Sequence, residues 1–170
     1  MNSTSVTNTN QTHLPNLGAV VLCGGQSSRL GVDKQELMFG GKTFLETIVQ
    51  SLTPVTQQIV LVGNVNTDQH QLPSSVSITQ DKLVNKGPLE GIRVGLKELS
   101  DACDYAFVSS CDVPLLTGKL LEFLFARMGG HDAIVPTKGP RKYGMTAIYR
   151  TSLHIAIKQR IEQNKLRMCD

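Results

Sequence analysis

The chain has 170 residues, 40% of them hydrophobic and 18% charged. That is enough for one domain with a full core, and it is not the composition of a disordered or membrane protein. A formal net charge of +3, no Trp and only 5% aromatic residues exclude the dense basic, aromatic-laced surface of a nucleic-acid binder, while a small positive balance suits small phosphorylated ligands.

Residues Met1–Asn16 are rich in Ser, Thr, Asn and Gln and contain no Lys, Arg, Asp or Glu. They hold too little apolar surface to fold and are expected to form a disordered tail. The tail has neither the arginines of a mitochondrial targeting peptide nor the apolar stretch of a secretory one, so a cytoplasmic location is expected. Leu17–Leu22 reads as a short buried strand, followed by a glycine-rich loop. Thr43–Leu52 reads as a helix: Thr43 and Glu46 form a capping box, and Phe44, Leu45, Ile48, Val49 and Leu52 share one face. Gln58–Val62 and Val76–Thr79 are strands. Leu89–Leu99 is helical, Tyr105–Ser109 is a strand, and Thr117–Met128 is a helix with Leu120, Leu121, Leu124, Phe125 and Met128 inward. Ala133–Val135 and Thr146–Tyr149 are strands suited to antiparallel pairing, and Thr151–Gln163 is a last helix. Neither long apolar run, Leu17–Cys23 or Ile59–Gly63, is long enough to cross a bilayer.

Buried, non-alternating strands separated by helices predict an α/β domain from residue 17 to residue 170. It should hold one doubly wound, mostly parallel sheet with helices on both faces. In such folds ligands bind beyond the carboxyl ends of the strands. The segments there are Gly24–Lys34, Gly63-Asn64, Gln80-Asp81 and Ser110–Pro114. Gly24 and Gly25 let a backbone approach a ligand closely, and successive N–H groups in such a loop form an anion site. Arg29 and Lys34 add positive charge where phosphates would lie. The alternative is a plain strand–helix connection with a solvated Arg and Lys. A dinucleotide-type G-x-G-x-x-G is absent, because Gly24 and Gly25 are adjacent and the next glycine is Gly31. A P-loop is absent too: Gly41-Lys42-Thr43 supplies its end, but its first position falls on Glu36. Asp112, after a strand and before Val113-Pro114, is a hard ligand suited to Mg²⁺ or else a turn former. Asp81 precedes Gly87-Pro88, a tight entry to a helix N-terminus that favours anions. The four cysteines have no C-x-x-C spacing, and the four histidines form no metal-ligand cluster in sequence.

The run Leu-Cys-Gly-Gly-Gln-Ser-Ser-Arg-Leu-Gly-Val-Asp-Lys from Leu22 resembles the signature loop of nucleotidyltransferases with a Rossmann-like, glycosyltransferase-A-type fold. Together with the motifs running from Asp81 through Ile92 and from Ser109 through Pro114, it is similar to the molybdenum cofactor guanylyltransferase branch. That resemblance implies transfer of GMP from GTP to molybdenum-molybdopterin, with release of pyrophosphate. It implies nucleotide contacts from Leu22, Cys23, Gly24, Gly25, Lys34, Asp81 and Asp112. Arg29, Lys34 and Asp112 would carry the chemistry, with Mg²⁺ on Asp112. It also implies contact with molybdoenzyme maturation proteins and a monomer or weak oligomer, with no nucleic acid or membrane partner. Cys23 stands where the family usually has Ala. An Asn common at the end of the second strand is Val62 here, with Asn64 two residues on. The family pattern continues with further helix and a last strand, so the domain is expected to be short at its C-terminus. The alternatives are a sister enzyme using CTP or a sugar-phosphate acceptor, a non-catalytic nucleotide-binding module, and a plain interaction domain.

Overall fold

The computed structural model describes residues 14–24, 34–66, 70, 72–81 and 87–167. Its strands are β1 (Leu17–Cys23), β2 (Met38–Phe39), β3 (Lys42–Thr43), β4 (Ile59–Gly63), β5 (Val76–Thr79), β6 (Tyr105–Ser110), β7 (Ala133–Ile134), β8 (Thr137–Lys138), β9 (Arg141–Lys142) and β10 (Ala147–Arg150). Its helices are α1 (Phe44–Leu52), α2 (Pro88–Leu99), α3 (Gly118–Phe125) and α4 (Leu153–Glu162), with a 3-10 turn at Lys34–Glu36. Six strands form one sheet in the order β5-β4-β1-β6-β10-β7. β5, β4, β1 and β6 run parallel, and β10 pairs antiparallel with both β6 and β7. This is the mostly parallel, doubly wound α/β sheet that the strand–helix alternation predicts.

β1 shows why the sheet needs two covers. All seven of its residues are buried, and successive side chains point to opposite faces. Ala19, Val21 and Cys23 join Leu45, Ile48 and Leu52 of α1 and Leu121 and Leu124 of α3 in one core. Val20 and Leu22 join Ile92, Leu96 and Leu99 of α2 in the other, flanked by Leu153 and Ile157 of α4. Gly95 lets α2 lie directly on β1, since a Cβ there would stand 2.4 Å from Val20 Cγ1.

The Thr43 capping box forms as expected: Glu46 N–H donates to Thr43 Oγ1 and Thr43 N–H to Glu46 Oε2. Thr43 is the cap, so the helix proper begins at Phe44. α3 stops at Phe125, short of the expected Met128, ahead of Gly129 and Gly130 with φ of +50° and +82°. Met128 still packs in the core. α4 starts two residues later than expected, because Thr151 Oγ1 donates to the carbonyls of Cys103 and Asp104 and is tied to the segment before β6. The ribbons β2–β3 and β8–β9 are too short to leave a period in the sequence. Leu14–Asn16, the end of the expected tail, belong to the folded body. Leu14 N–H donates to the Val55 carbonyl at 3.0 Å, and Asn16 Nδ2 to Asp104 Oδ2 at 2.8 Å.

Candidate active site

The chain winds from β1 outward through β4 to β5, then returns by α2 to β6 on the other side of β1. The order therefore reverses between β1 and β6, and in such sheets the ligand crevice lies beyond the carboxyl ends at that switch point. Gly24 follows β1 there, exposed. Asp112 lies two residues past β6, also exposed. Leu22 pairs with Ser110 across the two strands, and Cys111 N–H donates to the Leu22 carbonyl at 3.0 Å. This tie fixes the start of the Asp112 segment against the end of β1, one strand spacing of about 4.8 Å away.

The turn that begins at Lys34 lies at the same edge, on the β4 side of β1. The next residue, Gln35, is only 3% exposed, and its Nε2 donates to the Asn64 carbonyl at 2.9 Å, just past β4. His70, with a fully buried side chain, holds the same turn from behind. Its Nε2 lies 3.3 Å from Glu36 Oε1, and its Nδ1 lies 3.4 Å from Thr43 Oγ1 at the α1 cap. The backbone at Lys34 and at Asp112 therefore lies along one edge of the sheet. Asp81, exposed beyond β5, marks the other end of the row, about 14 Å or three strand spacings from β6. Gly25 and Arg29 lie outside the described residues.

Leu22 and Cys23 are buried, at 6% and 4% exposure. Their side chains face the two cores, so nucleotide contacts from these positions would run through the backbone. The Cys23 thiol lies 3.6 Å from the Val21 carbonyl oxygen, so the change from Ala is absorbed inside. Val62 is buried beside Leu22, whereas Asn64 is exposed at the edge. Asn64 is thus the one of the two placed to meet a ligand. Gly63 has a structural reason to be glycine: its φ is +132°, and a Cβ would stand 2.7 Å from the Cys23 carbonyl oxygen. α2 enters through Gly87 and Pro88, and Gly91 sits against Leu22. One turn in, Glu90 is buried and holds Arg93 by two hydrogen bonds of 2.6 and 2.7 Å. That hydrogen bonding raises the Arg93 pKa, burial opposes the rise, and the charge of Glu90 adds to it. A separate cavity of about 500 Å³ runs along α1, lined by Lys42, Glu46, Gln50 and Pro73 among others.

The family model described as MobA-like NTP transferase domain matches residues 19–169. The chain belongs to this family. A probable molybdenum cofactor guanylyltransferase of Flavobacterium johnsoniae is 32% identical over 155 residues, covering 91% of this chain and 79% of that protein. One of Methanosarcina acetivorans is 33% identical over 155 residues, covering 85% and 68%. The fold is also that of molybdopterin-guanine dinucleotide biosynthesis protein A from Archaeoglobus fulgidus, with a TM-score of 0.71 at 22% identity over 89% of this chain and 76% of that one. It is shared by 2-C-methyl-D-erythritol 4-phosphate cytidylyltransferase of Francisella tularensis, at 0.65 and 13% over 88% and 79%. This MobA-like domain is a nucleotidyltransferase of the molybdenum cofactor guanylyltransferase group, as its three loop motifs imply.

Two supports of the MobA-like site left no usable trace in the sequence. Gln35 and His70 are polar residues in polar stretches, and only the folded chain buries them. Gly63, by contrast, is marked in the sequence, because a glycine that closes a β-branched run beside a ligand edge signals close backbone approach. No helix among the described residues is long and apolar enough to cross a membrane.

Proposed function

We propose that this chain transfers GMP from GTP to the terminal phosphate of molybdenum-molybdopterin, forming the guanine dinucleotide cofactor and releasing pyrophosphate. The observation that supports this reading is that Gly24 and Asp112 follow the adjacent strands β1 and β6, while the turn that begins at Lys34 is tied through Gln35 just past β4 on the same sheet edge. The names of the relatives supply the substrates.

The reaction is an in-line displacement at the α-phosphorus. The acceptor phosphate is already anionic at neutral pH, so no strong general base is required, and repulsion between negative groups is the main barrier. Gly24 and Gly25 would offer backbone N–H groups to the phosphates, and Lys34 and Arg29 would neutralise their oxygens. Backbone at Leu22 and Cys23, with Asp81 toward β5, would orient the nucleoside, which holds the reacting phosphorus in line. Divalent-metal dependence is general among MobA-like nucleotidyltransferases. The residues fit a magnesium ion that arrives with the triphosphate. Asp112 is an exposed carboxylate at the crevice, no set of three or more metal-ligating side chains is present among the described residues, and Mg²⁺ needs only one or two carboxylates beside phosphate and water. Bound there, it would offset charge on the phosphate oxygens. A monomer or weak oligomer in the cytoplasm, in contact with molybdoenzyme maturation proteins, completes the reading.

The test is incubation with Mg²⁺, molybdenum-molybdopterin and either GTP or CTP, scoring pyrophosphate and dinucleotide. Product with GTP alone is expected. Product with CTP alone would move the chain to the sister branch, whose cytidylyltransferases share its fold. Saturable GTP binding with no pyrophosphate would make it a binding module. Lys34→Ala should weaken GTP binding about tenfold or more by calorimetry, the loss of one charge-assisted contact.

A further inference from the structure

One short ribbon of this protein is basic and carries no acidic residue. The hairpin β8–β9 carries Lys138, Arg141 and Lys142 in six exposed residues, Thr137–Lys142. No Asp or Glu occurs anywhere from Ala133 to Arg150, a stretch that holds four Lys and Arg.

The ribbon's position gives that charge a use. β10 runs antiparallel to β6, with Ala147 opposite Val108. The residues before Ala147 therefore continue past the carboxyl end of β6, the strand that delivers Asp112. Tyr143 N–H donates to the Pro136 carbonyl at 2.9 Å and closes the base of the ribbon on that edge. Across the turn at Gly139 and Pro140, Lys138 stands directly opposite Arg141. Directly opposed residues share a face with their Cβ atoms about 5 Å apart, and like charges in that relation repel. Arg141 is steadied on that face by Tyr143, with its guanidinium carbon 5.1 Å from the ring centre. Two cations held face to face, with no carboxylate in the segment, make an arrangement that a dianion between them would relieve. Arg can grip two phosphate oxygens at once, and Lys adds a point charge.

We propose that Lys138 and Arg141 bind the phosphomonoester of the acceptor, holding it beside the β1–β6 crevice on the β6 side while the nucleotide occupies the side of Gly24 and Lys34. This inference rests on the nucleotidyltransferase reading above and adds an acceptor subsite to it.

The test uses the full chain and the double variant Lys138→Gln, Arg141→Gln, whose exposed positions leave both cores intact. Binding of metal-free molybdopterin is followed by pterin fluorescence without GTP, and steady-state assays give the two KM values. The double variant should bind the pterin phosphate at least tenfold more weakly and raise the acceptor KM by a similar factor. The KM for GTP and the melting temperature should stay unchanged. Acceptor affinity within twofold of the unaltered chain, or equal rises in both KM values, would overturn the hairpin assignment. If the unaltered chain binds the pterin phosphate through this pair yet forms no dinucleotide, the subsite stands and the proposed reaction falls. If it binds no pterin phosphate at all, the subsite falls.

Discussion

Gly24→Ala separates a glycine required by the fold from one required by a ligand. No described atom lies within 4 Å of the place a Cβ would take at Gly24, and its φ is outside the left-handed region. Nothing among the described residues therefore asks for glycine there. Alanine at such a position should leave stability unchanged or raise it by about 0.4–1 kcal/mol, because the unfolded chain loses freedom. For a domain of this size that is a melting temperature equal to, or up to about 4 °C above, that of the parent. The ligand side points the other way. A methyl at the mouth of the crevice would hold phosphate oxygens off the backbone N–H groups after β1. Losing one charge-assisted hydrogen bond costs about 1.5–3 kcal/mol. That is a rise of roughly ten- to a hundredfold in the Kd for GTP. Thermal denaturation and titration calorimetry on the same preparation measure both. GTP binding equal to that of the parent would show that phosphates do not approach this backbone, and the reading of the loop would fail.

Gly63→Ala should do the reverse. Its φ of +132° and the 2.7 Å approach to the Cys23 carbonyl oxygen combine backbone strain with overpacking. Together they cost about 3–5 kcal/mol, and calorimetric scanning should show a melting temperature lower by roughly 10 °C or more. Asp112→Asn should lower turnover on the order of a hundredfold or more while the fold melts as before; unchanged turnover at limiting Mg²⁺ would remove Asp112 from the site. Cys23→Ala should cost about 1 kcal/mol of stability and leave GTP affinity within about twofold. A larger affinity loss by calorimetry would place the thiol against the nucleotide rather than in the core.

The elements legible in the sequence are those whose signal is local. Leu17–Cys23 and Ile59–Gly63 are buried on both faces, so every residue is apolar or glycine and the strand type needs no partner to be recognised. α1 announces itself by Thr43, Glu46 and the spacing of Leu45, Ile48 and Leu52. The crevice between Gly24 and Asp112 follows from topology once those elements are placed in order. What escaped depends on contacts between segments distant in sequence. Gln35 lies 29 residues from the carbonyl it binds, and His70 lies 34 residues from Glu36. No pattern around either residue marks it as buried. The start of α4 is hidden for the same reason: Thr151 reads as the first residue of the helix, but its hydroxyl is bonded to Cys103 and Asp104, nearly fifty residues back.

The division of labour along the edge follows from how a parallel sheet ends. The last residues of β1 and β4 have side chains committed to the two cores, so Leu22, Cys23 and Val62 can present only backbone to a ligand. Recognition that runs through N–H groups depends on the path of the chain and hardly at all on which apolar side chain fills the space behind it. Ala-to-Cys exchange at position 23 is then a question of packing, and side-chain contacts to a ligand would come from the exposed residues just beyond the strands, Asn64, Asp81 and Asp112. Charge-bearing residues at those positions are under no demand from the core. Substitutions there should separate activity from stability, and substitutions one or two residues earlier should not.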